Sequence, residues 1–390
     1  MTPAGADFHT FDLGGGSVSG LLCEGGVLSL AADALDTVEY VDPFADANGD
    51  GVDGSGEYRF GTWTSDVRQV PFDELVASWN ATTPPGTWLQ AEVQPQLGDG
   101  RWVGWYVLGR WAYGDEDFHR TSVGGQGGAD GDVAIDTFVA RQPAAAYRLR
   151  LTLHARVGSR VAAPSVRRSS AVASSRARRP AEVPSATTMT GTAVELDVPR
   201  FSQEVHRGEY PQFDCGGEAW CSPAATAMVV AYWDALFPQS GYAPSPAETA
   251  WVNPRYADPC VDHAARFVFD YHYGGAGNWS FNAAYAAGRG LVADVTRLAS
   301  LRDAEALLAD GIPLVVSVAY TPRTLGGATV STKGHLVVLA GFSGDGGTVL
   351  VNDPAAPTNA EVGRSYERAQ LERAWLSASG GLAYVIRPAP

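Results

Sequence analysis

Gln203, Cys221, His335 and Asp353 follow one another along the second half of the chain, and together they could carry acyl-transfer chemistry. Cys221 stands in Trp220-Cys221-Ser222-Pro223. A proline just inside a helix start is favourable, because its missing N–H would have no intrahelical partner anyway. Cys221 is therefore expected at a helix N-terminus, where the dipole favours a thiolate. His335 opens the apolar run GHLVVLAGF, at a strand end exposed enough for proton transfer. The turn Ser343-Gly344-Asp345-Gly346-Gly347 joins that run to TVLVNDPAA. Pairing about Gly344 puts His335 directly opposite Asp353, with both side chains on one face. A slip of one residue substitutes Asn352. Either side chain can orient an imidazole, which completes a set of nucleophile, base and orienter. Gln203 and the Cys221 backbone N–H can supply the two donors that a tetrahedral oxyanion needs. Taken singly, each residue has a plainer reading. A free cysteine is more often a small buried hydrophobe, and a glutamine after a strand is more often a surface polar residue.

The elements that must position these groups follow from periodicity. In Cys221–Leu236 the apolar residues Ala225, Met228, Val229, Tyr232 and Leu236 recur at helical spacing. Further helices are expected at Val261–His272, Ser280–Ala287, Ser300–Leu308 and Gln370–Leu376. Strands are expected at Leu314–Ala319, His335–Phe342, Thr348–Val351 and Leu382–Ile386. Helices first and strands later predict an α+β domain over 194–390. Residues 1–172 read differently. Short apolar runs such as Thr87–Val93 and Trp102–Leu108 alternate with Gly, Pro, Asp and Asn clusters. In Tyr147–His154, Tyr147, Leu149, Leu151 and Leu153 share one face at period two. That pattern predicts an all-β sandwich or jelly roll. Between the two, residues 173–193 are rich in Arg, Ser, Ala and Pro and read as a linker.

The stretches VPRFSQ, EAWCSPAATAMVVAYW, GHLVVLAGF, VLVNDPAA and SYERAQLERAWLSASGGLAYVI resemble the papain-like cysteine peptidases. More closely they resemble the bacterial C-thirty-nine-like peptidase family, over residues 196–388. The resemblance implies a papain-like α+β fold, a peptide or protein substrate and hydrolysis of peptide bonds without a cofactor for catalysis. It implies Cys221 as nucleophile, His335 as general base, Asp353 as its orienter and Gln203 as oxyanion donor. Two departures stand out. Ser222 replaces the glycine that often follows the family's cysteine, and HRGEYPQFDCGGEAW lengthens the interval between Gln203 and Cys221. Since a fold does not fix a reaction, two alternatives stand beside peptide hydrolysis. One is amide hydrolysis or acyl transfer on a cell-wall or other non-protein substrate. The other is a non-catalytic carbohydrate-binding or adhesion protein with a vestigial peptidase-like domain.

Other candidates are weaker signals. Trp220, beside the nucleophile, and Trp279, in the glycine-rich HYGGAGNWSF, are candidate substrate contacts. Asp46, Asn48, Asp50, the Val52 carbonyl and Glu57 match positions 1, 3, 5, 7 and 12 of a calcium loop. Asp53 at position 8, where an apolar residue is usual, and the lack of helical flanks favour a solvated turn instead. Cys215 and Cys260 could form a disulfide that leaves Cys221 free, as an oxidising compartment would allow. No CxxC or His/Cys spacing marks a zinc site. Six tryptophans, Trp63, Trp79, Trp88, Trp102, Trp105 and Trp111, could stack on a glycan, but such residues more often fill a core.

The whole-chain numbers narrow the classes. At ~150 residues per domain, 390 residues predict two or three domains. The net charge of −15 opposes general binding to nucleic acid. No run of ~18 apolar residues suggests a membrane span, and MTPAGADFHT does not read as a secretory signal. An extracellular or cell-surface location is expected, with a cytoplasmic one as the alternative. A cell-wall or glycan ligand is a candidate partner for the first domain.

Overall fold

A computed structural model describes residues 6–158, 162–176 and 184–389. The chain divides into two compact units, each described here by itself. One comprises Asp7–Ser175 together with Phe269–Ala284; the other holds Arg176–Val268 and Tyr285–Pro390.

The first unit is mostly β. Its twelve strands form one connected antiparallel sheet among the described residues. The organising strand is Thr137–Arg156, whose length lets it pair with Gly56–Thr64, Arg68–Thr82, Thr87–Leu97 and Gly131–Ala134. The alternation read from Tyr147–Leu153 is real: these four apolar residues are buried. Ser165–Ser174, partly assigned to the linker by composition, is a strand deep in this sheet, paired along Arg68–Thr82. Trp63, Trp79, Trp88 and Trp111 are buried, while Arg148 lies over the rings of Trp102 and Trp105. Most of the tryptophans are thus core, as their type favours.

The segment Phe269–Ala284 was expected inside the second domain, yet it packs into this sheet. The Trp279 N–H donates to Asp136 at 2.5 Å, and the Ser280 hydroxyl donates to the Ala77 carbonyl at 2.7 Å. Asp270 accepts the Ser122 N–H at 2.9 Å. Phe281 lies 5.3 Å from Trp111, centroid to centroid.

The second unit is built from β1 (Val194–Glu195), α1 (Cys221–Leu236), α2 (Pro259–Val268), the end of α3 (Trp279–Gly288), β2 (Val292–Arg297), α4 (Leu301–Ala309), β3 (Leu314–Tyr320), β4 (Thr332–Phe342), β5 (Thr348–Asn352), β6 (Gly363–Glu367), α5 (Arg368–Ser379) and β7 (Leu382–Arg387). Among the described residues the strands form an antiparallel sheet in the order β2-β7-β3-β4-β5-β6, with β1 added along β4. Leu314, Val316 and Val318 of β3 and Val337 and Leu339 of β4 pack with Leu301 and Leu308 of α4 and Trp375 of α5. Helix α1 is buried almost all round, from Ser222 to Trp233, as expected of a helix apolar on every side.

Within the stretch read as a linker, 177–183 lie outside the described residues. The part beyond is not a free tether. Ser185 donates through its backbone and hydroxyl to Glu372 at 2.5 and 2.6 Å. Thr188 donates in the same way to Glu305 at 2.7 and 2.6 Å. Both carboxylates are buried, and a buried charge needs such donors.

Candidate active site

Cys221 is the first residue of α1, as the Ser-Pro signal predicts, and is half-buried. Its N–H belongs to the helix's first turn, where backbone donors have no intrahelical acceptor. The Ser222 that departs from the family pattern is fully buried, with its hydroxyl 2.9 Å from that of Tyr384 on β7. The extra polar atom therefore has a partner.

His335 sits in β4, three residues after its start, and is 5% exposed. Its Nε2 lies 2.7 Å from Oδ1 of Asp353. The register differs from the symmetric hairpin expected about Gly344. Val338 pairs with Asn352 and Leu339 with Val351, but Gly341 pairs with Leu350. The turn is centred between Asp345 and Gly346 rather than on Gly344, which offsets the pairing by three residues, and a bulge at Ala340 takes one of them back. Extending the register at Val338–Asn352 to His335 leads two residues past Asp353. A shift of two keeps the face, so the pair meets diagonally rather than head-on. Gly341 is required at this point: a Cβ there would collide with the Val194 carbonyl of β1.

Asn352 is not the orienter. Its Nδ2 donates to the carbonyls of Val198 and Pro199, at 3.0 and 3.2 Å. It thereby ties down the segment that leads to Gln203. The Gln203 N–H donates to the Pro354 carbonyl at 2.9 Å, and the Ser202 N–H to Asn359 Oδ1 at 2.7 Å.

Two tyrosines complete the Asp353 carboxylate. Tyr320 and Tyr366 each donate a hydroxyl to Oδ2 at 3.0 Å, and the Ala355 N–H donates to Oδ1 at 3.0 Å. Tyr320 lies two residues beyond Val318, the partner of His335 across β3 and β4, and so shares its face. Tyr366 comes from β6. Neither was singled out from sequence, because only the sheet order brings them to Asp353.

The electrostatics follow from these contacts. Burial alone would push the His335 pKa down. Hydrogen bonds to Asp353 and Cys221, with the charges of both, instead raise it from 6.5 to about 10. Burial alone would raise Asp353, but the His335 hydrogen bond and charge, with the Ala355 N–H and Tyr366 hydroxyl, hold it at about 2. Burial and the Asp353 charge push both tyrosine hydroxyls up, so they stay protonated donors. Both partners of His335 thus favour its protonated form.

Gln203 is 5% exposed. Its Nε2 donates to the Glu218 carbonyl at 2.6 Å and stands 3.4 Å from Glu204 Oε1. One amide hydrogen is thus firmly held and the other weakly. Trp220 is fully buried, its indole N–H donating to the Phe213 carbonyl at 2.5 Å, which removes it as a substrate contact. Trp279 belongs with the β unit. Cys215 and Cys260 are free thiols, so the expected bridge is not formed. Cys215 is exposed in a left-handed turn, while Cys260 lies in α2, and burial pushes its thiol up to about 12.

In the first unit, the acidic loop satisfies its own carboxylates. Asp46 accepts the Gly51 N–H at 3.0 Å and Asp50 the Val52 N–H at 2.9 Å. Asp50 Oδ2 also lies 3.1 Å from His119 Nε2. Glu57 pairs with Glu39 on a neighbouring strand, and the Asn48 side chain lies outside the described set. Among the described residues no helix is long and apolar enough to cross a membrane.

Comparison with known proteins matches both parts of the chain. No curated protein matches it. Among solved structures, a protein described as a C39-like peptidase from Bacillus anthracis is similar at 16% identity and a TM-score of 0.31, over 51% of this chain and 98% of that one. Xylellain, a cysteine protease from Xylella fastidiosa, is similar at 12% identity and a TM-score of 0.30, over 51% of this chain and 86% of its own. Residues 6–174 match the model described as the Peptidase C39 N-terminal domain, and residues 195–382 match that of the Peptidase_C39 like family, so this second part of the chain belongs to that family.

Proposed function

We propose that this protein is a cysteine peptidase that hydrolyses amide bonds through Cys221, His335 and Asp353. The observation that carries this reading is the buried His335, which bonds to both Cys221 and the fully partnered Asp353. The Cys221 sulfur attacks the substrate carbonyl and forms a tetrahedral adduct. The Cys221 N–H and the weakly held amide hydrogen of Gln203 stabilise its oxyanion. His335 gives its proton to the departing amine as the C–N bond breaks, which leaves a thioester. It then takes a proton from water, which attacks that thioester and releases the acid. Asp353 keeps the ring aligned and holds its positive charge.

Iodoacetamide labelling of Cys221 against pH tests the pair directly. Labelling should already be fast near about pH 6, where a free thiol with a pKa of ~8.5 is almost all protonated. It should slow strongly in His335→Ala. Ordinary free-thiol behaviour in both proteins would reject the mechanism. Product analysis with unfolded protein and with cell-wall peptides then separates peptide hydrolysis from amide hydrolysis on a non-protein substrate.

A further inference from the structure

A second constellation lies next to the Gln203 turn and takes no part in the proposed chemistry. His206 is in the 3₁₀ turn that follows Gln203, Glu209 comes three residues later, and Asp262 is in the first turn of α2. Their exposures are 0%, 6% and 0%. One ligand-type atom from each lies within 4.8 Å of the other two. The shared point is His206 Nδ1, 2.8 Å from Glu209 Oε2 and 3.5 Å from Asp262 Oδ2. Neither oxygen of Asp262 accepts a hydrogen bond. A buried carboxylate without a donor is costly.

The donor set suits a divalent cation: two carboxylates balance its charge, and a neutral imidazole adds a third ligand. Ligand atoms about 2.1 Å from a tetrahedral cation stand about 3.4 Å apart, which His206 Nδ1 and Asp262 Oδ2 match at 3.5 Å, while Glu209 Oε2 stands nearer the imidazole at 2.8 Å. Calcium prefers six to eight oxygen ligands, whereas one imidazole with two carboxylates suits zinc or manganese.

We infer that His206, Glu209 and Asp262 form a structural site for a divalent transition cation. The cation cross-links the segment that follows Gln203 to helix α2. Binding there does not depend on whether the Cys221 site turns over.

The test uses the full-length chain carrying Cys221→Ala, so that the active-site thiol cannot capture the metal. After chelator treatment, Zn²⁺ or Mn²⁺ should bind at about one equivalent. Saturation should raise the melting temperature by about 5 °C at a cation concentration ~100-fold above Kd. Asp262→Asn in the same background should lose that equivalent and the shift. Glu209→Gln serves the same purpose should Asp262→Asn fail to fold. The inference is overturned if the parent protein neither binds nor is stabilised by either cation. It is equally overturned if the binding survives both substitutions.

Discussion

Tyr320 and Tyr366 donate to the same acceptor, Oδ2 of Asp353, each at 3.0 Å, although one lies on β3 and the other on β6. With the Ala355 N–H and His335 on Oδ1, they fix the carboxylate in the plane His335 needs. Asp353 thus has its own supporting shell, the usual requirement for an orienting group to hold a ring in place.

Each tyrosine should therefore be felt at the cysteine without touching it. Hydrogen bonds to charged groups contribute about 1.5–3 kcal/mol. Tyr320→Phe and Tyr366→Phe should each lower unfolding stability by an amount of that order. They should also slow Cys221 alkylation near neutral pH. Because the two share an acceptor, the double variant should depart from additivity. Urea unfolding and alkylation rates on the four proteins of the cycle measure this. Additive stability changes with unchanged alkylation would show that the hydroxyls do not act through Asp353.

The His335–Asp353 pair also sets a pH window for stability. Asp353 is held at about 2 instead of 3.8, so its contribution is present above pH 3.8 and fades as pH falls toward about 2. His335 is raised from 6.5 to about 10, so its contribution is full below pH 6.5 and is lost as pH climbs toward about 10. In the Cys221→Ala background only Asp353 remains to raise the imidazole. The urea midpoint of that protein should fall between about pH 7 and 10. Adding Asp353→Asn should flatten the fall. An equal alkaline slope in both proteins would assign it to other groups.

Much of this site was legible in the sequence. The Ser-Pro after Cys221 placed it at a helix start, and the continuous apolar run that follows His335 placed it on a strand. The His–Asp contact was anticipated although its register was not. The turn is centred past Gly344 and a bulge follows at Ala340, beside the pairing of β1 at Gly341, and a hairpin read by symmetry alone shows neither. A shift of two residues happens to spare the face, whereas a shift of one would have left Asn352 in place of Asp353. Tyr320 and Tyr366 gave no local signal, since the sheet order alone brings them together. The His206, Glu209 and Asp262 cluster was passed over for the same reason: Asp262 lies far from His206 in sequence, and the pair makes no motif. Composition misled at Ser185–Thr188, where small polar residues read as a tether but serve as donors to buried carboxylates.

The oxyanion role proposed for Gln203 can be separated by experiment from the roles proposed for Cys221, His335 and Asp353. Losing one oxyanion donor typically costs about 10²–10³ in kcat, and Gln203→Ala should fall in that range. Asn352→Ala releases the Val198 and Pro199 carbonyls that tie down the same segment. It should lower kcat in the same direction but by less. In both variants Cys221 alkylation and its pH profile should stay as in the parent, because His335 and Asp353 are untouched. Equal losses of turnover and alkylation would mean that the Gln203 segment supports the thiol itself.

Glu372 offers the sharpest test of the docked segment. It is 1% exposed and accepts the Ser185 N–H and hydroxyl together with the Leu301 N–H, which starts α4, at 2.5 to 2.6 Å. Glu372→Ala removes the acceptor and strands these donors in a buried place. Each unsatisfied group costs about 1–3 kcal/mol, partly relieved if water enters. The variant should lose several kcal/mol, on the order of 3–5, in urea unfolding. Amide hydrogen exchange should speed up at Ser185 and Thr188 before it does in β3 or β4, because the strap opens while the core stays closed. Glu372→Gln, which keeps one acceptor oxygen, should lose less. Unchanged protection at Ser185 in the alanine variant would show that the contact with Glu372 does not hold the segment in solution.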